Sequence, residues 1–175
     1  MEMLVKILNP GIIEQTLRIT TPILFAALGG CLNERSGVIN IALEGIMIMG
    51  AFAAAVGSYF YGAWVGILFG ITAGGIMGFI HAYMSVTIKA NQIISATAIN
   101  IFALGFPNII VPVLWKGYHA MTPVVPVIKD ISLPVVVKIP IIGQMFGKLN
   151  PIVYIAFLLV PAVHFFLFKT KTGLR

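Results

Sequence analysis

Long apolar runs separated by short polar gaps dominate the chain, and the charge-free stretches mark where it can cross a bilayer. No formally charged residue lies between Glu44 and Lys89. At about 1.5 Å per residue, one straight helix over that stretch would be roughly twice the thickness of a hydrocarbon core, so the chain has to turn back once. The natural place is Gly57-Ser58-Tyr59-Phe60-Tyr61-Gly62-Ala63-Trp64, whose aromatics suit a membrane boundary. The pattern predicts spans near 45–60 and 64–87, a further one over 90–115, and another over 149–168 between Lys148 and Lys169. Ile19 to Asn33 is also charge-free but covers only about 22 Å of helix. Extending it back to near Gly11 brings in Glu14 and Arg18, four apart with the acid first, the favourable helical pairing. That gives a first span near 11–32, and five in all. Residues 1–31 also read as a secretory signal, with a cleavage-like Leu28-Gly29-Gly30-Cys31, but a signal releases a soluble domain and four hydrophobic spans follow here.

The expected fold is therefore all-α, a polytopic membrane helix bundle forming one domain over 1–175, with a broken or re-entrant segment near 33–45. Residues 116–148 differ: Pro123, Pro126, Pro134 and Pro140 break up short apolar pieces, predicting a long loop with a strand pair or an interfacial helix. Pro107 and Pro161 fall inside spans and should bend them.

Composition agrees. The 175 residues are 59% hydrophobic and 9% charged, which excludes a soluble globule. The net charge of +6 comes from basic residues in the gaps between apolar runs, where they meet membrane lipid headgroups rather than forming a nucleic-acid patch. These basic residues divide six against five between the two sides, so charge leaves the orientation open: Lys6, Arg18, Lys116, Lys129, Lys138 and Lys148 against Arg35, Lys89, Lys169, Lys171 and Arg175. The single cysteine, Cys31, excludes an internal disulfide framework.

Inside the spans, Gly66, Gly70, Gly74 and Gly78 recur every four residues, followed by Ala82. This is a helix face without side chains, suited to close packing or to leaving room for a solute. If the chain after Gly37 were helical, Ser36, Asn40 and Glu44 would form a polar stripe, either a solvated turn or the lining of a cavity. The 90–115 span carries Asn91 and Ser95 on one line and Gln92, Ala96 and Asn100 on another, as interhelical glue or solute contacts. The candidate path residues are Asn40, Glu44, Ser95 and Asn100. His81, His119 and His164 form no metal-ligand pattern or acid/base set, and there is no phosphate-binding Gly-rich loop, so neither a metal site nor a catalytic residue is assigned.

Two runs, TPILFAALGG from Thr21 and ERSGVINIALEGIMIMGAF from Glu34 to Phe52, closely resemble the permease subunits of bacterial ABC importers for nucleosides and simple sugars that work with receptors of the basic-membrane-protein type. NQIISATAINIFALG from Asn91 to Gly105 looks like a second signature of that family, and the terminal KTKTGLR like the start of its cytoplasmic coupling loop. The family motif falls on Glu34, Arg35, Ser36, Gly37, Asn40, Glu44 and Gly45. The resemblance implies a permease of the bacterial cytoplasmic membrane, C-terminally truncated here, working by alternating access. Its partners would be a second permease subunit, a cytoplasmic ATPase and an external substrate-binding lipoprotein, with no cofactor and no catalytic residue of its own. It also implies a cytoplasmic C-terminus and an external 116–148 loop. The alternatives are a branched-chain amino acid permease, an intramembrane enzyme, and a non-transporting assembly or regulatory membrane protein.

Overall fold

The computed structural model describes residues 10–119, 121–132, 146–171 and 173. Five α-helices carry nearly all of its regular structure: α1 (Pro10–Arg35), α2 (Leu43–Tyr61), α3 (Ala63–Ala82), α4 (Gln92–Leu114) and α5 (Pro151–Lys169). A π-helical turn, Tyr83–Thr87, continues α3, and β1 (Ile131–Ser132) pairs antiparallel with β2 (Lys148–Leu149). Contacts divide the chain into two compact units, 30–127 and 1–29 with 128–175.

Four of these helical stretches are long and apolar enough to cross a membrane: Leu43–Tyr61, Ala63–Thr87, Gln92–Leu114 and Pro151–Lys169. Helix α1, at 26 residues, is longer than any of them, but Glu14, Arg18, Glu34 and Arg35 make it more polar, and it is not among the four. The large side chains that stay exposed, Phe79, Ile101, Ile109 and Val113 among them, are what a lipid-facing surface presents. The chain is an all-α polytopic membrane bundle.

In the unit 30–127, α2 and α3 form a tight hairpin. The turn expected over 57–64 shrinks to one residue, Gly62, whose φ of +92° falls in the region that favours glycine. The flanking aromatics are therefore helical. The two helices run antiparallel, with backbone against backbone. A Cβ on Gly66 would strike Ser58 Oγ and come within 2.7 Å of the Ala54 carbonyl, and one on Gly70 would lie 3.1 Å from the Gly50 carbonyl. Further along, Gly74 would meet only Ile46 at 3.7 Å, and Gly78 has nothing within 4 Å. Helix α4 lies parallel to α2, with Gly45 against Asn100 and the Phe52 ring edge-on to Phe106 at 6.1 Å. The core of this unit is built from Ala42, Met49, Met77, Ala96, Ile99 and Ala103, the three alanines letting the helices approach.

In the other unit, Asn150 caps α5: its side chain accepts from the Ile152 N–H, and Pro151 follows at the first helical position. Its amide nitrogen also donates to the Ile128 carbonyl at 3.2 Å. The Glu14–Arg18 pair forms at 2.7 Å, and Arg18 also grips Asp130 through two bonds of 2.9 and 2.8 Å. Its Nη2 donates to the Lys148 carbonyl as well, at 3.2 Å. The guanidinium holds the Asp130 carboxyl below the usual carboxylate range. Of the expected loop, 133–145 lies outside the described residues, as do position 120, Lys6, Lys138, and Thr172, Leu174 and Arg175 of the terminal motif.

Candidate translocation site

The polar residues singled out by sequence gather where α1 stops and α2 starts. The stop is a Schellman motif. Val38 N–H donates to the Asn33 carbonyl at 3.2 Å and Gly37 N–H to the Glu34 carbonyl at 3.0 Å, with Gly37 at φ +80°. Ser36 Oγ adds a bond to the Asn33 carbonyl at 2.7 Å. Glu34, Arg35, Ser36 and Gly37 thus end a helix, by ordinary terminator chemistry.

The helical stripe Ser36, Asn40, Glu44 does not form, because the chain from Ser36 to Ala42 is irregular and α2 begins only at Leu43. Asn40 instead closes a local turn, its Oδ1 accepting from the Ala42 N–H at 3.0 Å. Residue Ala42, at the N-cap of α2, has no side-chain oxygen to offer the first-turn donors. Asn100, from α4, supplies one across the interface. Its Oδ1 accepts from the Gly45 N–H at 2.8 Å, the bond an N-cap side chain would normally make, while its Nδ2 donates to the Ile41 carbonyl at 3.1 Å. Gln92 Oε1 takes the Ile39 N–H at 2.9 Å. Gln92 and Asn100 of α4 therefore satisfy backbone groups of the irregular segment and of the first turn of α2.

Close approach makes this possible. A Cβ on Gly45 would sit 2.7 Å from Asn100 Oδ1 and 3.0 Å from the Ile99 carbonyl, so Gly45 admits no side chain. Asn91, on the other expected line, caps α4 by accepting from Ile93 and Ile94 N–H groups. Ser95 faces His81 of α3, Oγ to Nδ1 at 3.1 Å, and both are buried. His81 Nε2 and Ser85 Oγ, also buried, have no partner among the described residues. Glu44 differs from the other three path candidates: it is exposed in the first turn of α2 with no bonded partner among the described residues.

Periodicity reveals same-helix faces, and so misses partners on other segments: His81 with Ser95, Asn100 with Gly45, and Arg18 with Asp130. The one available signal was the line Gln92, Ala96, Asn100, which marked a face without naming what it meets. Among the described residues no group of three His, Cys, Asp or Glu side chains could hold a metal ion.

A bundle of long apolar helices, with a helix start capped by amides from a neighbouring helix, defines a polytopic membrane protein. Residues 12–175 match the family described as branched-chain amino acid transport system, permease component, and the chain belongs to that family. It is 35% identical over 174 residues to the guanosine ABC transporter permease protein NupQ of Bacillus subtilis (strain 168), covering 94% of this chain and 54% of the relative. It is 30% identical over 172 residues to the nucleoside ABC transporter permease protein NupC of Lactococcus lactis subsp. cremoris, covering 94% of this chain and 54% of that relative. The chain thus spans about half the length of the curated relatives it matches. No solved structure matches it.

Proposed function

We propose that this chain is part of the membrane-spanning permease of an ATP-driven ABC importer that carries nucleosides, with simple sugars as the neighbouring cargo class. The observation that carries the reading is the family match over residues 12–175, on a chain with four helices fit to cross a bilayer. Helix α1 is the fifth crossing, its charged N-terminal part lying at the interface. The terminal basic segment faces the cytoplasm and the 116–148 loop faces outside. The permease pairs with a second permease subunit, takes its solute from an external receptor, and is driven by a separate ATPase, so no residue of this chain is catalytic. Solute passes by alternating access between helices. Of the four path candidates, Asn40 closes a local turn, Ser95 and Asn100 link helices, and Glu44 is the one whose side chain remains available to a partner or to a water-filled path.

The family description also names branched-chain amino acids. A zwitterion needs paired charges, and Glu44 is the one formal charge from the start of α2 to Lys89. The neutral amides and hydroxyls present suit an uncharged solute. The test is uptake of radiolabelled guanosine, uridine, glucose and leucine by vesicles holding the chain with its assembled partners. ATP-dependent accumulation of a nucleoside is expected. Accumulation of leucine alone, or ATP-independence for every solute, overturns the reading.

A further inference from the structure

An open cleft of about 440 Å³ lies in the unit 30–127, between α2 and α4. It sits away from the recapped helix break, at the C-terminal end of the Glu34–Phe52 run, with Phe52 and Ala55 of α2 on one wall and Pro107, Asn108 and Val111 of α4 on the other. Its volume falls within the roughly 300–1,000 Å³ of small-molecule sites. Thr122, from the segment following α4, completes the rim.

The lining carries no formal charge, and it keeps free acceptors. Asn108 Nδ2 donates back to the Leu104 carbonyl at 2.8 Å, which fixes the amide and leaves Oδ1 without a donor among the described residues. Thr122 Oγ1 likewise has no partner among them. Pro112 stands four residues after Asn108 and has no N–H to give its main-chain carbonyl, so a second acceptor at this position lacks its helical donor. The Phe52 ring, held edge-on by Phe106 at 6.1 Å, offers an aromatic surface beside these acceptors. A cleft with acceptors, one hydroxyl, an aromatic surface and no charge matches a flat, neutral solute that brings N–H and O–H donors.

We propose that this cleft is a solute-binding site for a nucleoside, with Asn108 Oδ1 as the group that recognises its donors and Phe52 as the surface its base lies against. The proposal rests on the nucleoside reading above and deepens it by assigning residues. A leucine zwitterion finds nothing here to neutralise its two charges. Another apolar helix, the other possible occupant, would bury Asn108 Oδ1 unpaired.

Two measurements on the assembled transporter test it. In the first, Asn108→Leu raises the KM for guanosine roughly three- to tenfold, the loss of one hydrogen bond, while Asn108→Gln recovers part of it. Unchanged ATPase co-purification in both variants shows that they fold. Transport by the parent with a KM indifferent to Asn108→Leu overturns the site and leaves the cargo reading standing. In the second, Thr122→Cys in a Cys31→Ser background is alkylated with N-ethylmaleimide in membranes, with and without guanosine. Slower labelling with guanosine supports the site whether or not uptake is seen. Equal labelling at saturating guanosine overturns it, and labelling that is blocked in both conditions shows that another helix fills the cleft and overturns it as well.

Discussion

Replacing Asn100 by Ala removes the cap that α2 borrows from α4. The Gly45 N–H loses an acceptor at 2.8 Å and the Ile41 carbonyl a donor at 3.1 Å. Loss of an N-cap bond costs about 1 kcal/mol and loss of a second ordinary hydrogen bond about another. Interhelical bonds in membranes average about 0.6 kcal/mol and reach about 1.7 each, so two of them give a similar total. The expected destabilisation is about 2 kcal/mol. Gly45→Ala attacks the same joint from the other side, forcing a methyl to within 2.7 Å of Asn100 Oδ1, and overpacking of this kind costs roughly 1–3 kcal/mol. Because both changes break one interaction, the double variant should fall short of the sum by about 1 kcal/mol. The assay is SDS-induced unfolding in mixed micelles followed by far-ultraviolet circular dichroism, for the two single variants and the double. Asn100→Ala indistinguishable from the parent, or strict additivity, would refute the borrowed cap.

Three further outcomes follow. Gly70→Val should destabilise the α2–α3 hairpin by at least about 1–3 kcal/mol in the same assay, because its Cβ position already lies 3.1 Å from both Ala54 and the Gly50 carbonyl; Gly78→Ala, with open space around it, should be neutral or stabilise by up to about 1 kcal/mol. At Gly37, replacement by Val should weaken the α1 terminator by about 1–2 kcal/mol, since φ there is +80° and a β-branched residue resists it; a Gly37→Asn control should recover part of the loss. Asp130, bonded to Arg18, ionises below the ordinary carboxylate value, so its contribution is fully present above about pH 3.9 and is lost as pH falls through its own lower value. Acid titration of stability should show that extra loss below about pH 3.9. The loss should disappear in Asp130→Asn, and a variant that titrates like the parent would contradict it.

How much was legible depends on whether a feature is encoded along the chain or across it. The apolar runs and the glycine spacing of α3 are one-dimensional signals, and four helices fall where long charge-free stretches lie. The first helix was harder to read as a span because Glu14 and Arg18 dilute its hydropathy. The break near 33–45 was legible, but the stripe of Ser36, Asn40 and Glu44 required a helix directly after Gly37, and the chain stays irregular as far as Ala42, with α2 starting only at Leu43. The partners of Asn100, His81 and Arg18 come from residues 55, 14 and 112 positions away, and no pattern on a single helix carries that information. The cleft at Asn108 is hidden from a one-helix pattern for the same reason, since its walls come from both α2 and α4.

The one-residue link at Gly62 bears on how the chain enters the membrane. The α2–α3 hairpin has Glu44 and Lys89 near its two ends and no formal charge between them, and its tip is Tyr59-Phe60-Tyr61-Gly62-Ala63-Trp64. Inserting it as a unit carries only aromatic and small residues to the far interface, where such rings are at home. No ion crosses the hydrocarbon, a step that would cost several kcal/mol for each charged side chain, and no hydrophilic loop has to be translocated. The tight link thus lets the hairpin enter the bilayer without moving a charge or a polar loop across it.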